Sequence, residues 1–184
     1  EYDPMDRITA DTDENGVRRT YEYDEKGNLI KYTDGLGNSE TYTYDKNNNM
    51  VSLTNRNGNT YTYKYDALNR PVSETDPKGN TKSFGYDKNS KITSVTDRNG
   101  NTTKYTLDGN GNIVTVTDAA GTESHYTYDS MNRLTKISMH RVDTVHKVDE
   151  WQDTLYTYDY RGLVKTEVNA KGDGKVFVYD ENGN

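Results

Sequence analysis

One spacing governs this sequence. Tyr-Asp pairs begin at Tyr2, Tyr23, Tyr44, Tyr65, Tyr86 and Tyr128, all on a 21-residue beat, and Leu107-Asp108 fills the one intermediate place. The paired carboxylates are Asp3, Asp24, Asp45, Asp66, Asp87, Asp108 and Asp129. Glycine keeps the same period at Gly16, Gly37, Gly58, Gly79, Gly100 and Gly121. A further aromatic stands two places before each pair: Tyr21, Tyr42, Tyr63, Phe84, Tyr105 and Tyr126. Three rows in one phase mark an internal repeat, which decides architecture before any local propensity does.

The beat slips once. Tyr156 and Tyr158-Asp159 follow Tyr128 after 30 residues, nine more than the period, and Gly172, Phe177 and Tyr179-Asp180 then return to phase. The nine extra residues fall within 138–153, a place for a loop or extended hairpin at one edge of the array. Residues 1–184 read as a single repeat array, and both ends fall inside the pattern, as expected of a piece of a longer chain.

Each unit divides into two turns and two short strands. In residues 86–106, the stretch 87–91 is rich in turn formers and 92–96 alternates β-branched residues as a strand does. Asp97-Arg98-Asn99-Gly100 offers a second turn, with glycine free to take a positive φ. Residues 102–105 then run extended into the next unit. Such short elements leave no room for an ordinary helix, so the expected fold is all-β: an antiparallel meander of about 17 strands.

Side chains on a strand alternate between its faces. Tyr42 therefore shares a face with Tyr44, Tyr63 with Tyr65, Tyr126 with Tyr128 and Tyr156 with Tyr158. Leu29, Met50, Ile92, Ile113, Leu134 and Val164, with Leu53, Val95, Val116 and Ile137, complete an aromatic and aliphatic side opposite a polar one. This explains how a chain of 30% hydrophobic residues, with 17 Tyr against 2 Phe, could fold at all. A tyrosine ring buries apolar area while its hydroxyl reaches a partner at the edge. The repeated aspartates suit Asx-turns, accepting backbone N–H bonds. A one-sided sheet would leave a large apolar patch exposed, so it is expected to curl into a spiral or partial shell, or to associate through a face or an open edge.

The unit YDALNRPVSETDPKGNTKSFG, residues 65–85, resembles the RHS or YD repeat: Tyr-Asp, a small-polar turn, TD-P-x-G, then an aromatic before the next pair. The resemblance spans essentially the whole chain; Leu107, Pro71, Leu163 and the insertion depart from it, and Pro71 suggests a bulge or edge geometry. That family includes bacterial Rhs polymorphic toxins, wall-associated proteins, the B and C components of insecticidal toxin complexes, and teneurins. The resemblance implies a secreted or surface bacterial protein whose repeats build a hollow β-shell around, or displaying, a toxin domain. The implied partners are further repeats of the parent chain and the enclosed domain. No catalytic residue is carried over, because the family's C-terminal core signature is absent from these residues.

Composition narrows the alternatives. A net charge of −7 disfavours nucleic acid, whose binding rests on cations against phosphate. Cys is absent, which excludes disulfides and thiolate metal sites, and no apolar run reaches the length of a membrane span. Residues 108–112 and 45–49 resemble the start of calcium loops, but with Asp108 as the first place the sixth and twelfth hold Ile113 and Ala119, not the glycine and glutamate needed. His140, His146, Asp143 and Asp149 near Trp151 match no zinc spacing, and His125 reads as a lone residue in a polar row. Asp149 and Glu150 should point apart. No cofactor, metal or catalytic group is therefore assigned. The reading is a non-catalytic wall segment; the alternative is a module that binds cell-wall carbohydrate through exposed tyrosine rows.

Overall fold

The computed structural model describes residues 1–143 and 145–184, with only the backbone of Asp143. Among the described residues there are 16 strands and no helix, so none long and apolar enough to cross a membrane. Strand order follows the chain and every pairing is antiparallel, β1 and β16 lying at the two edges.

Two compact units divide the chain, 1–84 with 97–100, and 85–96 with 101–184. The first begins with β1 (Ala10–Thr12), β2 (Arg18–Tyr23), β3 (Leu29–Thr33) and β4 (Ser39–Tyr44). It continues with β5 (Met50–Thr54), β6 (Thr60–Tyr65), β7 (Pro71–Thr75) and β8 (Thr81–Tyr86), whose last two residues cluster with the second unit. The second holds β9 (Ile92–Thr96), β10 (Thr102–Leu107), β11 (Ile113–Thr117) and β12 (Glu123–Tyr128). Then come β13 (Leu134–Asp143), β14 (Val148–Tyr158), β15 (Val164–Val168) and β16 (Gly174–Val176). The expected seventeenth strand is reduced to a bridge between Tyr2 and Ile8, because only Glu1 and Tyr2 precede the first turn.

Apart from the connection between β13 and β14, these strands are joined by one kind of turn. In the first turn of a unit, Asp24 N–H donates to Asn28 O at 2.9 Å and Gly27 N–H donates to Asp24 O at 3.1 Å. In the second, Asp34, Asn38 and Gly37 repeat the arrangement at 2.9 and 3.0 Å. This is a three-residue hairpin loop closed by a residue in the left-handed region. Outside the inserted hairpin the second turn fills that place with glycine, from Gly16 (φ 80°) to Gly172 (φ 84°), whereas the first also accepts Asn48, Asn69, Ser90 and Asn132.

The expected bulge at Pro71 recurs in every unit that shows the pairing. The ladder shifts register where Tyr23 meets Leu29, Tyr44 meets Met50, Tyr65 meets Pro71, Leu107 meets Ile113, Tyr128 meets Leu134 and Tyr158 meets Val164. A bulge re-aims the side chain beside it, here setting the first residue of one strand against the tyrosine of the last. Proline fits that place because bulged positions can dispense with a ladder N–H.

No conventional core results. Ala10 and Ser138 alone are buried among the described residues, and the tyrosine face is half-covered rather than sealed. Opposite it, Thr33–Ser39, Thr54–Thr60, Thr75–Thr81 and Thr96–Thr102 share hydroxyl hydrogen bonds of 2.8–2.9 Å beside the second turns.

Gly79 (φ 87°) has open space where a Cβ would stand, so Gly79→Ala tests backbone strain alone. It should lower stability by about 1 kcal/mol, read as a lower urea midpoint at unchanged slope.

Candidate functional site

The tyrosines of the Tyr-Asp row lean back over the neighbouring strand. Tyr23 Oη donates to Ile8 O, Tyr44 to Leu29 O, Tyr65 to Met50 O, Tyr128 to Ile113 O, Tyr158 to Leu134 O and Tyr179 to Val164 O, at 2.5–3.0 Å. Each acceptor is the first residue after a first turn; for Leu29, Met50, Leu134 and Val164 it is the residue the bulge sets against the preceding tyrosine. The row thus forms a line of ties, one per unit. At position 107 the line is broken, because leucine carries no hydroxyl to offer Ile92. Tyr86 ends β8 and Tyr2 stands in the terminal bridge.

The second aromatic row behaves differently. Tyr42 faces Leu53, Tyr105 faces Val116, Tyr126 faces Ile137 and Tyr21 faces Tyr32 across the ladder, the last pair with ring centroids 5.3 Å apart. Tyr63 and Tyr156 lie opposite Glu74 and Glu167. These rings contribute area and cross-strand contact, which explains why Phe84 and Phe177 serve in two units. Tyr42 is an exception: burial first, then its 2.9 Å bond to Glu40, pushes its phenol up to about 12.

The aspartates cap their turns. Oδ1 of Asp3, Asp24, Asp45, Asp66, Asp87, Asp108, Asp129, Asp159 and Asp180 accepts the N–H groups two and four residues on, at 2.8–3.0 Å. Asn55 and Asn169 do the same in second turns at 2.9–3.1 Å. The Asn28, Asn49 and Asn112 side-chain amides, and after them the backbone donors, hold Asp24, Asp45 and Asp108 below the usual carboxylate range against the opposing effect of burial. For Asp129 the Arg133 backbone N–H is the largest cause and its guanidinium the next. Neighbouring first turns are also joined: Asn49 Nδ2 and Asn47 Nδ2 donate to Asn69 Oδ1 at 2.8 and 2.9 Å, and Asn110 and Asn112 to Asn132 Oδ1 at 2.9 Å. Arg7 and Arg133 stack over Tyr23 and Tyr158 at 4.7 and 4.6 Å.

At the insertion, β13 and β14 continue their ladder past Ser138 and Asp153 through five more pairs to Asp143 and Val148. His125 is not alone, as its sequence context suggested. Its ring stacks on the Trp151 indole at 4.5 Å, and His140 stacks on the same indole at 4.8 Å. The signal could have been found by register: the insertion lengthens β14 enough to carry Trp151 beside His140 and across β13 to β12. Asp149 lies 2.6 Å from His140 Nε2, while Glu150 sits on the other face opposite Arg141. Among the described residues no three His, Asp or Glu side chains gather as a metal set; the Asp143 side chain lies outside them.

A meander of repeated two-strand units, tied to one another by tyrosine hydroxyls except at Leu107, defines a β-repeat array. The RHS Repeat family model matches residues 2–39, 23–60, 44–81, 86–123 and 108–139, well over half of the sequence, and the chain belongs to that family. The crystal structures of TcdB2-TccC3-Cdc42 and of TcdB2-TccC3 each resemble it with a TM-score of 0.65 at 15% identity, over 89% of this chain and 10% of theirs. The Photorhabdus luminescens Tc holotoxin pore matches 83% of this chain with 9% of its own, at a TM-score of 0.62 and 16% identity. The chain spans about a tenth of these proteins, and the likeness is one of fold. No curated protein matches it.

Two expectations follow for stability. Tyr44→Phe should cost about 1 kcal/mol, the net worth of one hydrogen bond, and Leu107→Tyr should recover a similar amount; Tyr63→Phe should be near neutral, all read from urea midpoints. The depressed aspartates give stability that is fully present above their unfolded pKa of about 3.9 and lost as pH falls through the lower folded values. Urea midpoints should therefore stay level from about pH 7 to 5 and fall below about pH 4. Asp24→Asn, which keeps the cap as Asn55 does, should flatten that acid limb.

Proposed function

We propose that this chain is a non-catalytic wall segment of the β-shell of a secreted or surface-displayed bacterial RHS-repeat protein. Further repeats of the parent chain complete the shell, which curls around or displays a toxin domain. The observation that carries this reading is the line of hydroxyl-to-carbonyl ties. Each repeat but the one with Leu107 offers its neighbour the same donor and acceptor, so the array extends by addition without needing a core of its own. Membership of the RHS repeat family and a fold shared with Tc toxin components support the same reading.

In this proposal residues 1–184 act as one array with an insertion within 138–153. The Tyr-Asp pairs, the second aromatic row and the turn glycines serve structure alone. Engagement of the Tyr-Asp hydroxyls by backbone carbonyls takes up the one donor each could offer a sugar, leaving acceptor lone pairs only, and so disfavours the carbohydrate reading.

Protease protection of the parent protein tests the proposal. The domain enclosed by the shell should resist trypsin in the intact protein and be cut at least tenfold faster when Tyr44, Tyr65 and Tyr128 are all changed to Phe. Equal cleavage in both proteins would contradict a containing wall.

A further inference from the structure

Where the extended hairpin leaves the sheet, the polar face changes character. His125 on β12, His140 on β13 and Trp151 on β14 meet on the polar face of the sheet. Trp151 remains 45% exposed. Glu123 Oε2 stands 3.0 Å from His125 Nε2, and Asp149 Oδ1 stands 2.6 Å from His140 Nε2. Beside them Lys136 donates to Asp153 at 2.9 Å, and Ser138 hydrogen-bonds the same carboxylate.

The chemistry left over at this cluster is one-sided. Lys136, Ser138 and the two Nε2 atoms already face carboxylates. An imidazole that donates from Nε2 keeps a lone pair on Nδ1, and an ionised carboxylate has about four acceptor positions, of which each histidine takes one. With both imidazoles neutral, what the cluster offers a ligand is therefore the exposed part of the tryptophan, lone pairs and negative charge, the indole N–H aside. A sugar needs donors as well as acceptors; a cation needs only these.

We propose that His125, His140 and Trp151, with Glu123 and Asp149, bind the guanidinium of an arginine side chain on a partner protein. A guanidinium is planar, stacks on aromatic rings and presents five donors in a fixed fork that suits carboxylates, which a lysine ammonium does not match. Tryptophan is the best aromatic partner for such a cation. The titratable and charged groups facing the site are Glu123 and His125 from β12, Lys136 and His140 from β13, and Asp149 and Asp153 from β14; with Lys136 held by Asp153 and the imidazoles neutral, the balance is negative. Only the insertion makes the site possible, because a unit of ordinary length ends at Ser138.

Trp151 is the single tryptophan of the chain, so its fluorescence reports on the site directly. A blocked Gly-Arg-Gly peptide at low salt should change that emission saturably. The same peptide with citrulline, which keeps the shape and loses the charge, should bind at least tenfold more weakly. The double variant Glu123→Gln, Asp149→Asn should weaken the arginine peptide at least tenfold, and Glu150→Gln on the opposite face should leave it unchanged. Asp149→Asn alone, at a largely exposed position, gives the same reading if the double variant loses its β circular dichroism. No saturable response, an equal response to citrulline, or unaltered binding by the carboxylate variants would overturn the proposal.

Discussion

The hydrogen bond from a tyrosine hydroxyl to the first carbonyl of the preceding strand is the interaction on which the array depends. Leu29 shows how it works. A bulge sets Leu29 against Tyr23 on one side, and Tyr44 reaches its carbonyl from the other. Met50 stands in the same relation to Tyr44 and Tyr65. Bulge, turn and tyrosine therefore need one another. The Asx-turn fixes where the strand begins, the bulge re-aims its first residue, and the hydroxyl ties that residue to the next unit.

Each such bond is modest, about 1 kcal/mol net, and half-covered tyrosine rings add area without closing a core. Stability is instead distributed along one dimension, as neighbour-to-neighbour contacts of nearly equal strength. A wall built this way can be long without a growing interior. It can also carry an added element at one unit without disturbing the others. The β13–β14 hairpin does so, extending a ladder already in register and bringing Trp151 onto a face where the other units place threonine.

Much of this was legible in the sequence because the repeat displays its own logic. Residues 92–96 and the start of the following strand at Thr102 were readable from alternation and from the turn residues between them. Gly16 and its row announced a left-handed position, and the aspartates announced caps. The partner of each tyrosine hydroxyl was not legible, since it depends on a bulge that the sequence hints at only through Pro71. His125 looked isolated because its neighbours lie 15 and 26 residues away, across a register that the insertion itself sets. The shortened first strand was missed for a simpler reason: two residues suffice for a bridge but not for a ladder.

Native-state hydrogen exchange across the second unit measures the tie most directly. Opening free energy differs from place to place according to local contacts, and Leu107 supplies a natural gap in the line. Amides of Ile92–Thr96 and Thr102–Leu107 should exchange from a lower opening free energy than those of Ile113–Thr117 and Glu123–Tyr128, where Tyr128 holds Ile113. Uniform protection, or the strongest protection beside Leu107, would contradict the account.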